Sequence, residues 1–407
     1  MATLPAAREA AIQSSPLGNG GVARERVSAL LPRIAERAQM TEEDRRVPDS
    51  TIAELIDAGL FGIIMPRSFG GSELGLADLV RATADIASAC GSTGWVYGVL
   101  AGHSWLLNLF PIEAQREIFG DPSALVATVF RLGGTVTEVD GGYRLVQGEG
   151  RFCSGIDHAK WVIVGNAVKR ADGSVEPRFF VVPKSEVEVI DDWFTAGMRG
   201  TGSRSIRIAD AFIPVHRSVS LADMLAGTSP GAAHHDRAIY RMPFADLAPF
   251  SIVGAPLGMA RGAADAFAGS LEKALGGKQE LQIAEQSATF ARLGEACADV
   301  DAALALVLES ATRIDTAERP DALTPLERAR VPRDWAYAAQ KARYATTLLF
   351  EASGGSGIYD GNAIQRMWRD VNAAAQHFAF TWDSAMTSFG RAKIGLAPGV
   401  FALKGRG

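Results

Sequence analysis

The sequence predicts a mainly α protein with a central β-domain: a helical block first, short strands next, a bundle of long helices last. Three observations carry this reading. Apolar residues recur at helical spacing from Arg24 to about Pro122, the pattern changes to short β-branched or alternating runs near Ala124, and helical periodicity returns near Phe250. With 407 residues and 47% hydrophobic content, the chain has material for two or three layers of core.

Residues 1–24, rich in Ala, Ser and Gly and lacking the apolar stretch of a signal peptide, read as a loose tail. In residues 25–123, Val27, Leu30, Leu31 and Ile34, then Ile52, Leu55, Ile56 and Leu60, then Leu79, Ala82 and Ile86 mark successive helices. Loops fall at PRSFGGSELG (Pro66 to Gly75) and at Gly91 to Gly94. The run from Ile86 to Ile112 carries no charge, but Gly91, Gly94, Gly98, Gly102, His103 and Asn108 interrupt it, so a pair of buried helices is expected rather than a membrane span. Residues 124–218 hold the strand-like runs Leu125 to Phe130, Tyr143 to Phe152, Trp161 to Val168, Arg178 to Val182 and Ser205 to Ile213, a small β-domain. Residues 219–245 read as a flexible linker or lid. Residues 246–397 hold Leu257 to Leu275, Leu281 to Ala317, Ala329 to Phe350 and Ala363 to Arg391, lengths suited to a four-helix bundle, with 398–407 left as a C-terminal tail.

Net charge is −5 and no Lys/Arg run occurs, so neither nucleic acid nor a membrane surface is expected as a partner. Three widely spaced cysteines, Cys90, Cys153 and Cys297, fit reduced packing thiols and a cytoplasmic location. No G-x-G-x-x-G follows a strand, and no Walker loop or G-x-S-x-G elbow is present, which argues against a doubly wound nucleotide domain or an α/β-hydrolase. The six histidines show no H-x-x-x-H or E-x-x-H spacing, and His234-His235 has no third ligand, so no metal site is expected.

Four segments then agree in order and spacing: CGSTGWV (Cys90 to Val96), RFCSGIDHAKWVIV (Arg151 to Val164), WFTAGMRGTGS (Trp193 to Ser203) and FEASGGSG with IQRMWRDV near the C-terminus. Together they resemble the acyl-CoA dehydrogenase superfamily, and within it the oxygenase components of two-component flavin monooxygenases. Similar enzymes are the hydroxylase of 3-hydroxy-secoandrostatrienedione, 4-hydroxyphenylacetate hydroxylase and dibenzothiophene monooxygenase. The resemblance runs from about residue 25 to 397 and implies an N-terminal helical domain, a β-domain and a C-terminal four-helix bundle. The chain departs from the dehydrogenases at both places where they carry a catalytic glutamate, which hold Phe378 and Ala248 here. No carboxylate occurs from Val371 to Trp382 to abstract an α-proton.

The resemblance assigns His377 as catalytic base, on a helix leading from Arg369-Asp370, with His103 orienting or helping to deprotonate the substrate. An imidazole with an ordinary pKa near 6.5 suits proton transfer at neutral pH, although a lone histidine in an apolar helix is also a common core residue. Ser154 falls where the superfamily keeps a hydroxyl at the flavin N5 and O4 edge, and a fixed hydrogen bond there would restrain loss of H2O2 from a C4a-hydroperoxide. The competing reading is a serine capping its own turn with Gly155. Val129, Phe130 and Phe152 are expected along the isoalloxazine face, though strand residues of this kind are core by default. Ser353, Gly354 and Gly355 resemble a turn that crosses a subunit boundary to the flavin's phosphate or ribityl end, against a plain helix-helix turn. Arg369-Asp370 is read as a structural ion pair, and Met198 to Ser203 as a turn without chemistry. Substrate contacts are expected near Trp95, Tyr97, His103, Tyr240, Phe244, Phe250 and Phe378.

The implied activity is hydroxylation of a small phenolic or indolic substrate with O2 and reduced flavin, FMNH2 or FADH2. The flavin would come from a separate NAD(P)H:flavin reductase, since the chain lacks an NAD(P)H fingerprint; a homotetramer is implied by resemblance only. N- or S-oxygenation by the same chemistry, an acyl-CoA dehydrogenase and an inert flavin-binding scaffold are the alternatives.

Overall fold

The computed structural model describes residues 20–170, 172–276 and 286–398. Helices α1 (Gly20–Glu36), α2 (Ala38–Glu43), α3 (Asp49–Asp57), α4 (Leu76–Ala89), α5 (Gly91–Leu107) and α6 (Ile112–Phe119) form the first block. Residues 20–24 of the expected tail are thus helical, and residues 1–19 lie outside the described residues.

All 17 residues of α5 are buried, which explains its lack of charge: with no solvent face, an ionised side chain would have to be desolvated. Its glycines let other backbones approach closely. A Cβ on Gly98 would sit 2.0 Å from the Ser251 carbonyl oxygen, so only a hydrogen fits between α5 and the bundle. No helix among the described residues is long and apolar enough to cross a membrane.

Eight strands follow: β1 (Val126–Val129), β2 (Thr135–Val139), β3 (Gly142–Cys153), β4 (Trp161–Lys169), β5 (Val175–Pro183), β6 (Glu188–Ile190), β7 (Arg204–Pro214) and β8 (Ser218–Ser220). The sheet order is β6-β7-β3-β2-β4-β5-β8, with β1 pairing parallel to β4. Side chains alternate between its faces, as a period of two requires. Val126, Ile163, Phe179 and Val181 turn to the helices, while Ala127, Val129, Val162, Val164, Phe180 and Val182 form a separate β core. Between Gly150 and Cys153 the register of β3 against β7 shifts, a bulge that ends the regular ladder beside Ser154. The sequence reading missed β2, β6 and β8, two of them only three residues long.

Residues 219–245, the expected linker or lid, carry regular structure. They form α7 (Leu221–Ala226), 3-10 turns at Pro230–His234 and Ala238–Arg241, and the start of α8 (Phe244–Leu247). His235 is buried and its Nε2 meets Gln115 Oε1 at 2.8 Å. The bundle comprises α9 (Phe250–Leu275), α10 (Ser287–Asp315), α11 (Pro325–Ala352), α12 (Ala363–Ala374) and α13 (Trp382–Lys393). Residues 277–285, where the expected second bundle helix begins, lie outside the described residues, as do 399–407 of the expected tail.

The expected helix Ala363 to Arg391 is two helices. No Gly or Pro forces the break; side chains hold it. His377 Nδ1 accepts from the Ala379 N–H at 3.3 Å, capping a 3-10 turn at Phe378–Phe380, and Thr381 Oγ1 donates to Phe378 O at 2.8 Å. His377 therefore sits at a helix break and not inside a helix.

Candidate active site

Helix α5, the β1 end, the bulge of β3 and the α12–α13 break converge. Trp95 and His103 lie eight residues apart on α5, about 12 Å along one face. The Trp95 ring meets the His377 ring edge-on at 5.8 Å, and His377 lies 4.3 Å from Phe378. Phe378 continues to Phe130 (6.1 Å), and Phe130 meets Phe179 (6.1 Å) and Phe244 (5.9 Å). Trp105 stacks on Phe244 at 6.3 Å and anchors its own ring by donating from Nε1 to the Ile239 carbonyl. The result is an aromatic cluster whose rings meet mostly edge to face or tilted, the arrangement favoured by the ring quadrupole.

The two histidines are neutral and of opposite tautomer. His103 Nδ1 lies 2.6 Å from the Val126 carbonyl oxygen, which can only accept, so Nδ1 carries the hydrogen and Nε2 keeps a lone pair directed away from β1. Thr128 Oγ1, 3.3 Å from the same nitrogen, braces it. At His377 the Nδ1 accepts, so in the neutral ring Nε2 carries the hydrogen and can donate it. Burial lowers both pKa values to about 4, the Val126 bond partly opposing this at His103. His377 keeps some surface exposure, but Trp95, Phe378 and Phe380 enclose its ring.

Ser154 does not cap its own turn. Its Oγ receives the Trp95 indole N–H at 3.2 Å and lies 2.7 Å from Ser203 Oγ. Just before it, Phe152 stands on the bulge with φ +65° and is 69% exposed, its ring edge-on to Trp193 at 6.0 Å. A large aromatic held open in a left-handed conformation beside a fixed hydroxyl suits a planar heterocycle.

Several expected contacts lie elsewhere. Tyr97 is fully buried in the first helical block, its hydroxyl donating to Leu60 O and its ring against Phe61. Tyr240 donates to Ile64 O and packs on His235. Phe250 meets Trp335 at 5.0 Å in the bundle core. Val129 turns its side chain into the β core, because strand alternation gives Thr128 the site-facing position. Gly354 and Gly355 are exposed, with open space where a Cβ on either would sit, while Ser353 is half-buried and its Oγ donates to Leu349 O at 2.8 Å. Arg369 and Asp370 do not pair with each other: Arg369 binds Glu42 and the Ala196 carbonyl, and Asp370 Oδ1 accepts the Met198 N–H at 2.5 Å. Thr128, Phe179, Trp105, Thr201 and Ser203 were missed. For Thr128, the alternation of β1 next to Val129 was the available signal.

A cavity of about 730 Å³ lies between α2, the Trp193–Ser203 loop and Arg369, lined by Glu42, Arg45, Phe194, Arg199 and Asp360 among others. Neither histidine lines it. Among the described residues no cluster of His, Cys, Asp or Glu forms a metal site.

Known proteins define the class. Residues 23–124 match the acyl-CoA dehydrogenase N-terminal domain and residues 250–382 its C-terminal domain. A pigment production hydroxylase of Rhodococcus sp. is 39% identical over 376 residues, covering 91% of this chain and 96% of that protein. The flavin-dependent monooxygenase oxygenase subunit HsaA of Mycobacterium tuberculosis is 37% identical over 380 residues, covering 92% and 95%. A crystal structure of that monooxygenase superposes with a TM-score of 0.88 at 34% identity, over 94% of this chain and 99% of the other. The chain belongs to the acyl-CoA dehydrogenase family and, within it, to the oxygenase components of the flavin-dependent monooxygenases.

Proposed function

We propose that this enzyme hydroxylates a small phenolic substrate, with His103 rather than His377 as the base. The observation that carries this is the His103 tautomer: Nδ1–H is committed to the Val126 carbonyl, so the Nε2 lone pair is ready for a phenol proton. His377, with its hydrogen on Nε2, would donate a hydrogen bond to a developing negative charge or to oxygen. The cluster of Phe130, Phe179, Phe244, Trp105 and Phe378 would supply apolar walls for an aromatic ring and keep water out.

Reduced flavin, when bound, reacts with O2 and supplies the oxygen atom that is transferred. Ser154 Oγ and the open face of Phe152 would hold it, with the Ser353-Gly354-Gly355 turn reaching the flavin of a neighbouring subunit in a homotetramer. The exposed Ile358 and Tyr359 beside that turn support such a subunit contact. Reduced FMN is the flavin proposed, with FADH2 the alternative, delivered by a separate reductase. An acyl-CoA dehydrogenase would need a carboxylate where Phe378 or Ala248 stands.

The test supplies reduced FMN or FADH2 from a flavin reductase, with O2 and a panel of phenols, indoles and amines, and reads product mass. A phenol gaining one oxygen supports the reading. H2O2 release alone with every phenol, or oxygenation confined to amines, overturns it.

A further inference from the structure

The loop Trp193 to Ser203 delivers a second and third hydroxyl to Ser154. Trp95 Nε1 lies 3.2 Å from Ser154 Oγ, Ser154 Oγ 2.7 Å from Ser203 Oγ, Ser203 Oγ 2.7 Å from Thr201 Oγ1, and Thr201 Oγ1 2.8 Å from the Met198 carbonyl oxygen. An indole N–H can only donate and a carbonyl can only accept, while each hydroxyl has one hydrogen. Only one assignment satisfies all four contacts. Thr201 gives its hydrogen to Met198 O, so Ser203 must give its hydrogen to Thr201, Ser154 must give its hydrogen to Ser203, and Ser154 receives from Trp95. Ser154 then has no hydrogen left for a further partner and one lone pair that can accept.

The line is fixed at its far end by the bundle. Asp370 Oδ1, buried on α12, takes the Met198 N–H, and Trp193 Nε1 donates to the same Met198 carbonyl at 2.9 Å. Met198 is held in a left-handed conformation at φ +58°, and a Cβ on Gly197 would come 2.2 Å from the Arg369 carbonyl oxygen. The loop is therefore clamped on α12 and cannot shift without releasing its hydroxyls.

We propose that Thr201, Ser203 and Trp95 are positioning residues that polarise Ser154 as an acceptor, so that this site selects reduced over oxidised flavin. The proposal rests on the reading that Ser154 faces flavin N5. In the reduced ring N5 bears a hydrogen and needs an acceptor; in the oxidised ring N5 is a bare lone pair and needs a donor. Ser154 as polarised here satisfies the first and opposes the second. For the reaction it would hold the N5 proton in place while the substrate is being attacked.

The test is the ratio of dissociation constants for oxidised and reduced flavin, measured by aerobic and anaerobic titration with FMN and with FAD, and independently the potential of the bound flavin. Ser203→Ala leaves Ser154 free to donate, so the ratio is expected to fall about tenfold, the worth of one hydrogen bond. The potential should drop by about 30 mV for a two-electron couple. Thr201→Val, which keeps the shape and removes the last link, should lower the ratio similarly, and Ser203→Thr should restore it. A ratio unchanged in both Ser203→Ala and Thr201→Val, while Ser154→Ala alters flavin affinity, overturns the relay but leaves the Ser154 contact standing. Should Ser154→Ala change neither affinity, both fall.

Discussion

Replacing His103 with Asn tests the proposed base most directly. Asn retains a donor for the Val126 carbonyl, which His103 meets at 2.6 Å, but removes the Nε2 lone pair. With a pKa of about 4 against about 10 for a phenol, full proton transfer to free His103 would be uphill by about 8 kcal/mol. An imidazolium and phenolate in contact at roughly 3 Å recover about 5 to 6 kcal/mol at an effective dielectric near 20. The remaining deficit of about 2 to 3 kcal/mol means the proton moves as the ring attacks oxygen, not in a separate earlier step. Loss of such a base is expected to lower kcat/KM about 10²- to 10⁴-fold, or about 3 to 5.5 kcal/mol in the barrier. Rapid-mix assays with reduced flavin and O2 should show H2O2 replacing product in His103→Asn. The deficit should shrink as pH rises toward the phenol's own pKa, or with a nitrophenol already ionised at pH 7. In the wild type the acid limb of kcat/KM should fall near pH 4 and not 6.5, because His103 stays neutral until then. A His103→Asn enzyme within a few-fold of wild type at pH 7, or one not improved by pre-ionised substrate, would refute the assignment.

Other consequences can be measured separately. Tyr97→Phe removes only the hydroxyl on Leu60 O, so urea denaturation should show about 1 kcal/mol lost while kcat and substrate preference stay put. Gly98→Ala drives a methyl to within 2.0 Å of the Ser251 carbonyl oxygen, a backbone atom that cannot rotate away, and should cost about 3 kcal/mol or more, read as a fall in Tm. Asp315 caps α4 by accepting the Leu76 and Ala77 N–H groups, and burial raises its pKa to about 6, with Asp78 adding repulsion and Arg237 opposing it. A folded pKa above the unfolded value means the native state holds the proton more tightly, so this group's contribution is present below about pH 4 and is lost as pH rises through 6. Wild type should lose about 2 kcal/mol more than Asp315→Asn between pH 4 and 6 in parallel denaturation curves; superimposable pH profiles would dismiss the effect.

The three-part organisation was legible because burial leaves periodic traces. The chargeless α5 had to be interior, and the main strand runs were β-branched and punctuated by Gly, Asp and Pro. The site was legible only in part. Ser154, Trp95, His377, Phe378, Phe130 and Phe244 form one line of contacts, yet Tyr97, Tyr240 and Phe250 are equally aromatic and equally near those motifs while serving the core. Nothing in one sequence tells which side of a helix faces a ligand when all 17 residues of α5 are buried. The tautomers were likewise invisible, since they depend on the Val126 carbonyl and the Ala379 N–H, backbone groups that any residue supplies. The break at His377 carried no Gly or Pro, and the Thr201-Ser203 hydroxyls looked like ordinary turn residues until the loop was seen docked on Asp370.

Each ring proposed to face the substrate leans on another: Phe244 touches Trp105, Phe130 and Phe179, and Phe130 in turn touches Phe378. Trimming one ring to admit a bulkier guest therefore loosens its neighbours, and effects of paired replacements should depart from their sum by about 0.5 to 1.5 kcal/mol. Retargeting such an enzyme is a problem of exchanging adjoining walls together, with double-mutant cycles between Phe130 and Phe244 as the first measurement.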